Sequence, residues 1–512
     1  MTQPGVFTPY STVAPLLGTL PGWVDAADQQ RIASYQKYEE IYWSSEAGFQ
    51  QVMRGDNEQP VFLPTARTLV NAVNRYTAPN FGFSVESINN DTEGATLTRL
   101  ALEALFRREK FLSRFEGNKL FGLVRGDWLW HLLADPTKPP GKRLRIMALD
   151  PASYFPVYDE EEPDRIVKVH VAEQITVNGQ VKINRLTYEK VVDEGTGQTT
   201  ILRSHGIFST EKWWELTTPE EIILPEEPLD PRITSIPVYH VKNLDTNGPF
   251  GSSELRGLES VLAAVNQAMS DEDLTLALDG LGVWATDGAG PVDDQGRALE
   301  YIFGPGRVIS RANGLKKLTG TSSVTPYQDH IAKMEESAKE SLGASDVAVG
   351  KVDQGTAESG VALLLKLGPM LAATAIKDKE ILDVHAQLFY DLCFWLTVYE
   401  ELDLLASVEG GELAPRALVT PVIGDKIPVN AAEVVKRVTD LRNTVPPIIS
   451  LRTAHAWMRA AGLAVPDNEL EVLAAEAAGV YDPLGEPGAG EDAAAEGAVP
   501  TDPVDTGEEV LA

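Results

Sequence analysis

The spacing of apolar residues changes twice along this chain, and each change marks an expected change of structure. From 23 to 133, apolar positions recur at three and four, the period of helices with one buried face. Ile32, Tyr35, Tyr38, Ile41 and Tyr42 form one such stripe, with Asp25 or Asp28 placed to cap the free N–H groups of its first turn. Leu69, Val70 and Val73 mark a helix over 65–75. Leu100, Leu102, Leu105, Phe106 and Phe111 mark another over 97–115, and 120–133 continues in the same texture.

From 144 to 241 the period shortens. Runs rich in β-branched residues at 166–171, 175–177, 181–192, 199–208, 212–216 and 236–241 alternate with turns. Asn178-Gly179 joins two of them as a two-residue hairpin, because a type I′ turn needs positive φ at both central positions. An antiparallel sheet is expected, with exits at Pro225, Pro228, Pro231 and Pro237.

Helical spacing returns after Gly251. Leu255, Leu258, Leu262, Val265 and Met269 repeat at three and four behind Ser252 or Ser253 as a cap. A helix reaching Asp279, before Gly280 and Gly282, is expected to span roughly 40 Å at about 1.5 Å per residue. Turns and short strands at 283–285, 299–303 and 307–310 follow, then a helix over 327–341. This is a stalk that goes out, builds a tip and comes back. A loop over 344–355 leads to a long helix, 356–405, which Gly368-Pro369 should kink or break. Short helices are expected over 430–441, 450–461 and 467–478, with Ser450 and Asp467 as caps. Residues 481–512 contain Pro, Gly, Ala and acid but neither Lys nor Arg, too few apolar groups to order themselves.

Charge alters this picture more than composition does. With 43% hydrophobic and 23% charged residues, the chain of 512 residues is ordinary for globular protein, and its length implies two to four subdomains. The net charge of −31 is not ordinary, and it makes contact with DNA either local or weak. Cys393, the single cysteine, excludes an intrachain disulfide and a Cys-built zinc site; a buried apolar side chain and a catalytic thiol are its two readings. Residues 1–22 lack a basic region before an apolar run, so no secretory signal is expected. The most apolar window, 388–398, is too short to cross a bilayer and contains Asp391. Assembly in a cytoplasm, without a membrane, is expected.

Chemistry-bearing motifs are sparse. The seven histidines stand singly, without an H-E-x-x-H; there is neither a Walker A pattern nor a G-x-S-x-G elbow. Gly195-Thr196-Gly197 reads as a hairpin turn. No cofactor and no metal are expected. Asp159, Glu160, Glu161, Glu162 and Asp164 offer a metal or glycosidase-like carboxylate pair, or else a solvated turn beside Pro163. Trp213-Trp214 offers a stacking platform, or else packing.

Three local patterns carry a resemblance. Ile236-Pro237-Val238-Tyr239-His240 precedes Gly251-Ser252-Ser253-Glu254-Leu255, which continues through Leu258 and Val265-Asn266-Gln267 to Ser270-Asp271-Glu272. Ser359-Gly360-Val361-Ala362-Leu363 leads to Pro369-Met370 and a lysine-bearing stretch, 377–381. Gly424-Asp425-Lys426-Ile427-Pro428 with Asn430 precedes the terminal helices. In this order they resemble the portal proteins of tailed bacteriophages (head-tail connectors of the siphophage type), over roughly 23–479. The tip, 281–325, matches no particular portal sequence.

The resemblance implies an α+β portal fold and a non-enzymatic role. It divides the chain into an N-terminal arm (1–22), a wing (23–250, helical to 133 and β-rich over 144–241), a stem (251–279 and 327–341) and a clip (280–325). A tunnel loop with a long kinked helix (344–405), a crown (415–479) and a disordered acidic tail (480–512) complete it. It further implies a homo-oligomeric ring, commonly of twelve subunits, at one capsid vertex of a virion. Double-stranded DNA is packaged and ejected through such a ring. Its partners would be the terminase large subunit, a head-tail adaptor, and the major capsid and scaffolding proteins. In such a ring the 344–355 loop would face the DNA, with Val347, Val349, Lys351, Asp353 and Gln354 as channel residues. Val347 and Val349 have no evident core to join, and a buried inter-helix turn is the alternative. Arg297, Arg307, Arg311, Lys316 and Lys317 gather positive charge in the clip and mark it as a docking surface, with solvated turn residues as the alternative. Two other classes stay open: a capsid-completion or tail-adaptor protein, and an acidic-site hydrolase built on 159–164.

Overall fold

The computed structural model describes residues 23–426, 431–442 and 451–460, apart from 50, 53–59, 163–164, 194, 196, 282, 286–293, 296, 298–315, 319–323, 352–359 and 408–411. The expected arm, the strands at 299–303 and 307–310, the helix at 467–478 and the acidic tail lie outside the described residues. The chain divides into two compact units, Met1–Lys426 and Ile427–Ala512. The class is α+β.

The first unit begins with helix α1 (Ala26–Tyr42), where the Asp25 carboxylate accepts from the Asp28 N–H. Helix α2 (Thr65–Tyr76) and strand β1 (Gly82–Ser87) follow. The single helix expected over 97–115 is two, α3 (Thr92–Glu109) and α4 (Phe111–Arg125), separated by Lys110 at φ 52°. The break brings Phe106 and Phe111 to one core, their rings stacked 4.5 Å apart.

Helical texture does not persist to 133. Gly126, at φ 107°, ends α4, and β2 (Asp127–Ala134) is a strand. It lies between β3 (Leu144–Leu149) and β9 (Val238–Lys242), and its first six residues are buried. A strand covered on both faces has no alternation to reveal it.

The β-rich region forms a five-stranded antiparallel sheet ordered β4 (Tyr154–Tyr158), β5 (Ile166–Val177), β6 (Gln180–Val192), β7 (Thr199–Phe208), β8 (Glu221–Pro228). Asn178 and Gly179 take φ 52° and 76° and join β5 to β6. The expected break within 166–177 is absent. Residues 212–216 form turns instead of a strand, and β8 occupies what reads as a proline-rich exit. As the last strand of its order, β8 accommodates Pro225 and Pro228, which lack the N–H a central position needs.

Helix α5 (Glu259–Leu281) starts later than expected. The Ser253 hydroxyl donates to the Val124 carbonyl at 2.5 Å and accepts from the Leu255 N–H, so it fastens the segment before α5 to the end of α4 instead of capping a helix. Strands β10 (Val283–Ala285) and β11 (Lys316–Leu318) pair antiparallel before α6 (Thr325–Ser341). Val265, Ala268 and Ile331 hold α5 and α6 together, and Gln328 donates to Glu272 across them at 3.0 Å.

Helix α7 (Gly360–Tyr399) runs through Pro369 as one span of 40 residues. Strands β12 (Leu405–Ser407) and β13 (Leu413–Pro415) pair, and β14 (Ala417–Val422) pairs with β1. Residues 415–426 therefore belong to the first unit, and the crown expected from 415 loses its first segment to the body. In the second unit, α8 (Ala431–Arg442) and α9 (Leu451–Ala460) pack together, with Arg437 over the Trp457 ring.

The main core gathers Phe81, Phe106, Phe111, Phe115, Trp128 and Trp130 around His385 and Phe389 of α7. Trp130 Nε1 donates to His385 Nε2 at 2.9 Å, and His385 Nδ1 donates to the Ile381 carbonyl. Burial pushes the His385 imidazole down to about 4, which keeps it neutral. No helix among the described residues is long and apolar enough to cross a membrane.

Candidate functional site

The expected channel loop is tied to the body over its described part. Residues 344–351 wind as consecutive turns, with the Val349 N–H on the Ser345 carbonyl and the Lys351 N–H on that of Asp346. Ala344 and Ala348 are buried, and Val347 and Val349 pack against the same core as Leu255, Leu367 and Met370. The expectation that these valines lack a core to join is therefore corrected. Gly343, at φ 65°, allows the turn to approach Pro369, where a Cβ would stand 3.1 Å from the proline carbonyl carbon. Lys339 joins Asp346 at 2.7 Å and Glu336 at 3.1 Å; hydrogen bonding to that ammonium holds the Asp346 carboxyl below its ordinary value. Asp346 and Lys351 are exposed. Asp353 and Gln354 lie outside the described residues.

In the clip, register places Lys317 opposite Trp284 and Lys316 opposite Ala285. Arg297 is exposed. Arg307 and Arg311 lie outside the described residues, so the five basic positions are not brought together within the described part.

The alternative chemistries do not assemble. Asp159 accepts from the N–H groups of Glu161 and Glu162, and Glu162 pairs with Arg165, as in a solvated turn between β4 and β5. Asp164 lies outside the described residues. Asp159 and Asp391 both line a cleft of about 750 Å³ with Val169, Tyr239 and Val384. Asp391 there already accepts from Ser235, Tyr239 and Gln387, which leaves it a structural acceptor. Trp213 is buried, and its indole donates to the Trp23 carbonyl at 2.8 Å. Cys393 is buried and its thiol is pushed up to about 12 by burial, which disfavours the thiolate. Among the described residues no group of His, Cys, Asp and Glu is arranged to hold a metal.

The densest polar constellation is one that motif reading passes over, at the stem root. Asp127, 1% exposed, accepts from Tyr35 Oη at 2.6 Å and the Gly251 N–H at 2.7 Å, and meets His240 Nε2 at 2.7 Å. Burial opposes its charge, but these bonds, led by His240, hold its carboxyl below the ordinary value. Glu254 and Lys377 form an ion pair with side chains 6% and 4% exposed. Asn243 donates to Glu254 at 2.9 Å, and the Glu254 N–H reaches the Leu123 carbonyl at 3.0 Å. At the next residue, Asp378 accepts from the Ala78 N–H at 2.8 Å and pairs with Lys426 at 2.6 Å, which also donates to Thr374. The middle of α7 is thereby fixed to Glu254, to the chain after α2 and to the chain after β14, and Glu254 in turn to α4. Glu254 and Lys377 both stand in the sequence patterns quoted above. The available signal was that Lys377-Asp378 closes a stretch with no acid since Glu358, where buried charges require partners.

No family model matches the chain, and no curated protein is similar to it. Among solved structures it is similar to a chain in the virion of a native gene transfer agent particle, at 14% identity and a TM-score of 0.42, over 87% of this chain and 96% of that one. It is also similar to chains in the neck of the empty particle computed with C6 symmetry (14%, TM-score 0.41, 79% and 91% covered) and of the native particle computed with C12 symmetry (14%, TM-score 0.39, 85% and 94% covered). Likeness at that level carries no inference about what the chain does.

Proposed function

We propose that this chain is a portal-type subunit of a phage-like particle, a structural protein that forms a ring through which double-stranded DNA passes. The observation that carries the reading is the course of the chain. A helix leaves a mixed body at a bolted root, a two-stranded tip follows, and a second helix returns along the first. A 40-residue helix then crosses back into the body core. The three sequence patterns of the resemblance fall on this course at the stem root, on α7 and after β14. The net charge of −31 suits a duct that passes DNA without holding it, since counterion release is a main source of affinity for DNA.

In this reading α5 and α6 are the stem, and β10 with β11 begins a clip that meets terminase and then an adaptor. The exposed Asp346 and Lys351 face the lumen. Twelve subunits are the expected number, and the virion's portal vertex the expected place. Electron microscopy of the purified chain in negative stain tests it: closed rings with a central channel are expected. Monomers alone, by microscopy and by light scattering over a range of concentration and salt, overturn it.

A further inference from the structure

The segment Gly360–Ile376 of α7 contains two polar side chains, Lys366 and Thr374, in seventeen residues. A helix apolar all round belongs in an interior. Among the described residues one side is covered, where Leu367, Met370 and Thr374 are buried. On the other side Leu365 is 75% and Ile376 68% exposed, with Pro369 and Ala372 exposed between them. These four positions step by four, three and four, the 3.5-residue period of a seam along which another helix lies. Nor can the helix turn this face inward, because Lys377 is bolted to Glu254, Asp378 to Ala78, and Thr374 to Lys426.

We propose that this face of α7 is covered by a second copy of this chain. The inference rests on the ring proposed above and assigns one of its contact surfaces. Charge decides the occupant. The stripe's own side chains, Leu365, Pro369, Ala372 and Ile376, offer no donors for phosphates, so DNA gains little by covering them. Exposed Lys366 next to its first residue and exposed Lys379 beyond its last place positive charge near its two ends, and a copy with a net charge of −31 is attracted to such ends. Copies approaching through their acidic faces would repel, so a contact between copies is best placed on an apolar stripe with basic ends.

The test uses the full chain and thiol labelling. Cys393 is buried, with its thiol held protonated, so an introduced cysteine is the reactive one. Ile376→Cys should react with maleimide in dilute, unassembled protein and lose that reactivity in the assembled ring. Ile222→Cys, at a 63% exposed position of β8, should react in both. Ile376→Asp and Leu365→Asp should remain folded by circular dichroism and fail to assemble. Rings in which Ile376→Cys stays as reactive as Ile222→Cys, or rings formed normally by both Asp variants, overturn this inference and leave the ring standing. Protection of Ile376→Cys that appears only on adding an adaptor protein also overturns it. Wild-type chain that never assembles removes the ring reading, and this inference with it.

Discussion

Along α7, residues 381–396 place Leu388, Phe389, Leu392 and Trp395 in the main core, whereas 365–376 leave Leu365 and Ile376 in solvent. Both stretches are strongly apolar, and although 381–396 adds aromatic residues and the polar Asp383, His385, Gln387 and Asp391, neither sequence says where its covering partner lies. The difference lies in what the rest of the chain supplies. The C-terminal half is met by Phe81, Phe111, Phe115 and Trp128, while the N-terminal half is met from one side only. Apolar character reports that a surface will be buried, and not whether the partner belongs to the same chain.

The largest effect that tests this contrast comes from paired truncations. Phe389→Ala should destabilise the unassembled chain by about 3–5 kcal/mol through lost burial and a residual cavity. Ile376→Ala should change it by less than about 0.5 kcal/mol. Urea unfolding of both variants in dilute protein measures the difference, and similar costs would erase the distinction between the two halves.

The next effect concerns the bolt between them. Lys377→Met leaves the Glu254 carboxylate buried without its cation and should cost about 3–5 kcal/mol. The double variant Lys377→Met/Glu254→Gln should recover much of that loss. A double variant as unstable as the sum of its parts would show that the pair does not act as a unit.

Acid should weaken the body through four buried histidines, one of them, His385, in the buried half of α7. His131 and His170 are pushed down to about 3, and His205 and His385 to about 4, in each case chiefly by burial. Each stays neutral when folded and binds a proton when unfolded below its ordinary 6.5. Their contribution to stability is whole above that value and is lost as pH falls toward 4, at up to about 1.4 kcal/mol per pH unit for each group. Denaturation midpoints between pH 7.5 and 5 should fall with decreasing pH, and less steeply in His385→Gln. An unchanged slope in that variant would count against the neutral, buried imidazole. The smallest effect is expected from truncation after Gly479, which should leave unfolding and assembly unaltered; loss of assembly would give the acidic tail a structural role.

What could be read from the sequence follows the same division between local and distant partners. Strands β5, β6 and β7 were legible because alternation and Asn178-Gly179 act between neighbours. Helices α5 and α6 were legible from their period, although α5 starts at Glu259 and runs through Gly280 to Leu281. Strand β2 was not, because its burial on both faces depends on strands and helices far along the chain. The break at Lys110 depends on two phenylalanines sharing one core. Val347 and Val349 read as channel residues because much of their core, Leu69, Val70 and Val73 of α2, Leu123 of α4 and Leu255, lies far away in sequence. Glu254 and Lys377 were visible as residues, but their pairing spans 123 positions.

The pairing of β1 with β14 bears on when such a subunit becomes usable. Gly82 meets Val422 at one end of that pair and Ser87 meets Ala417 at the other. The partner of β1 is therefore synthesised roughly 340 positions later, a wait of tens of seconds at about 5–20 residues per second. Stem, tip and the apolar stripe of α7 all emerge within that interval, ahead of the strand that closes the body. An early stem on an open body would offer contact surfaces with no finished subunit behind them. Because Lys426, which fastens Thr374 and Asp378, follows β14 directly, the last residues of the body also set the posture of α7. Synthesis through Lys426 thus acts as a clock, and the exposed stripe of α7 takes its final posture only when the body is shut.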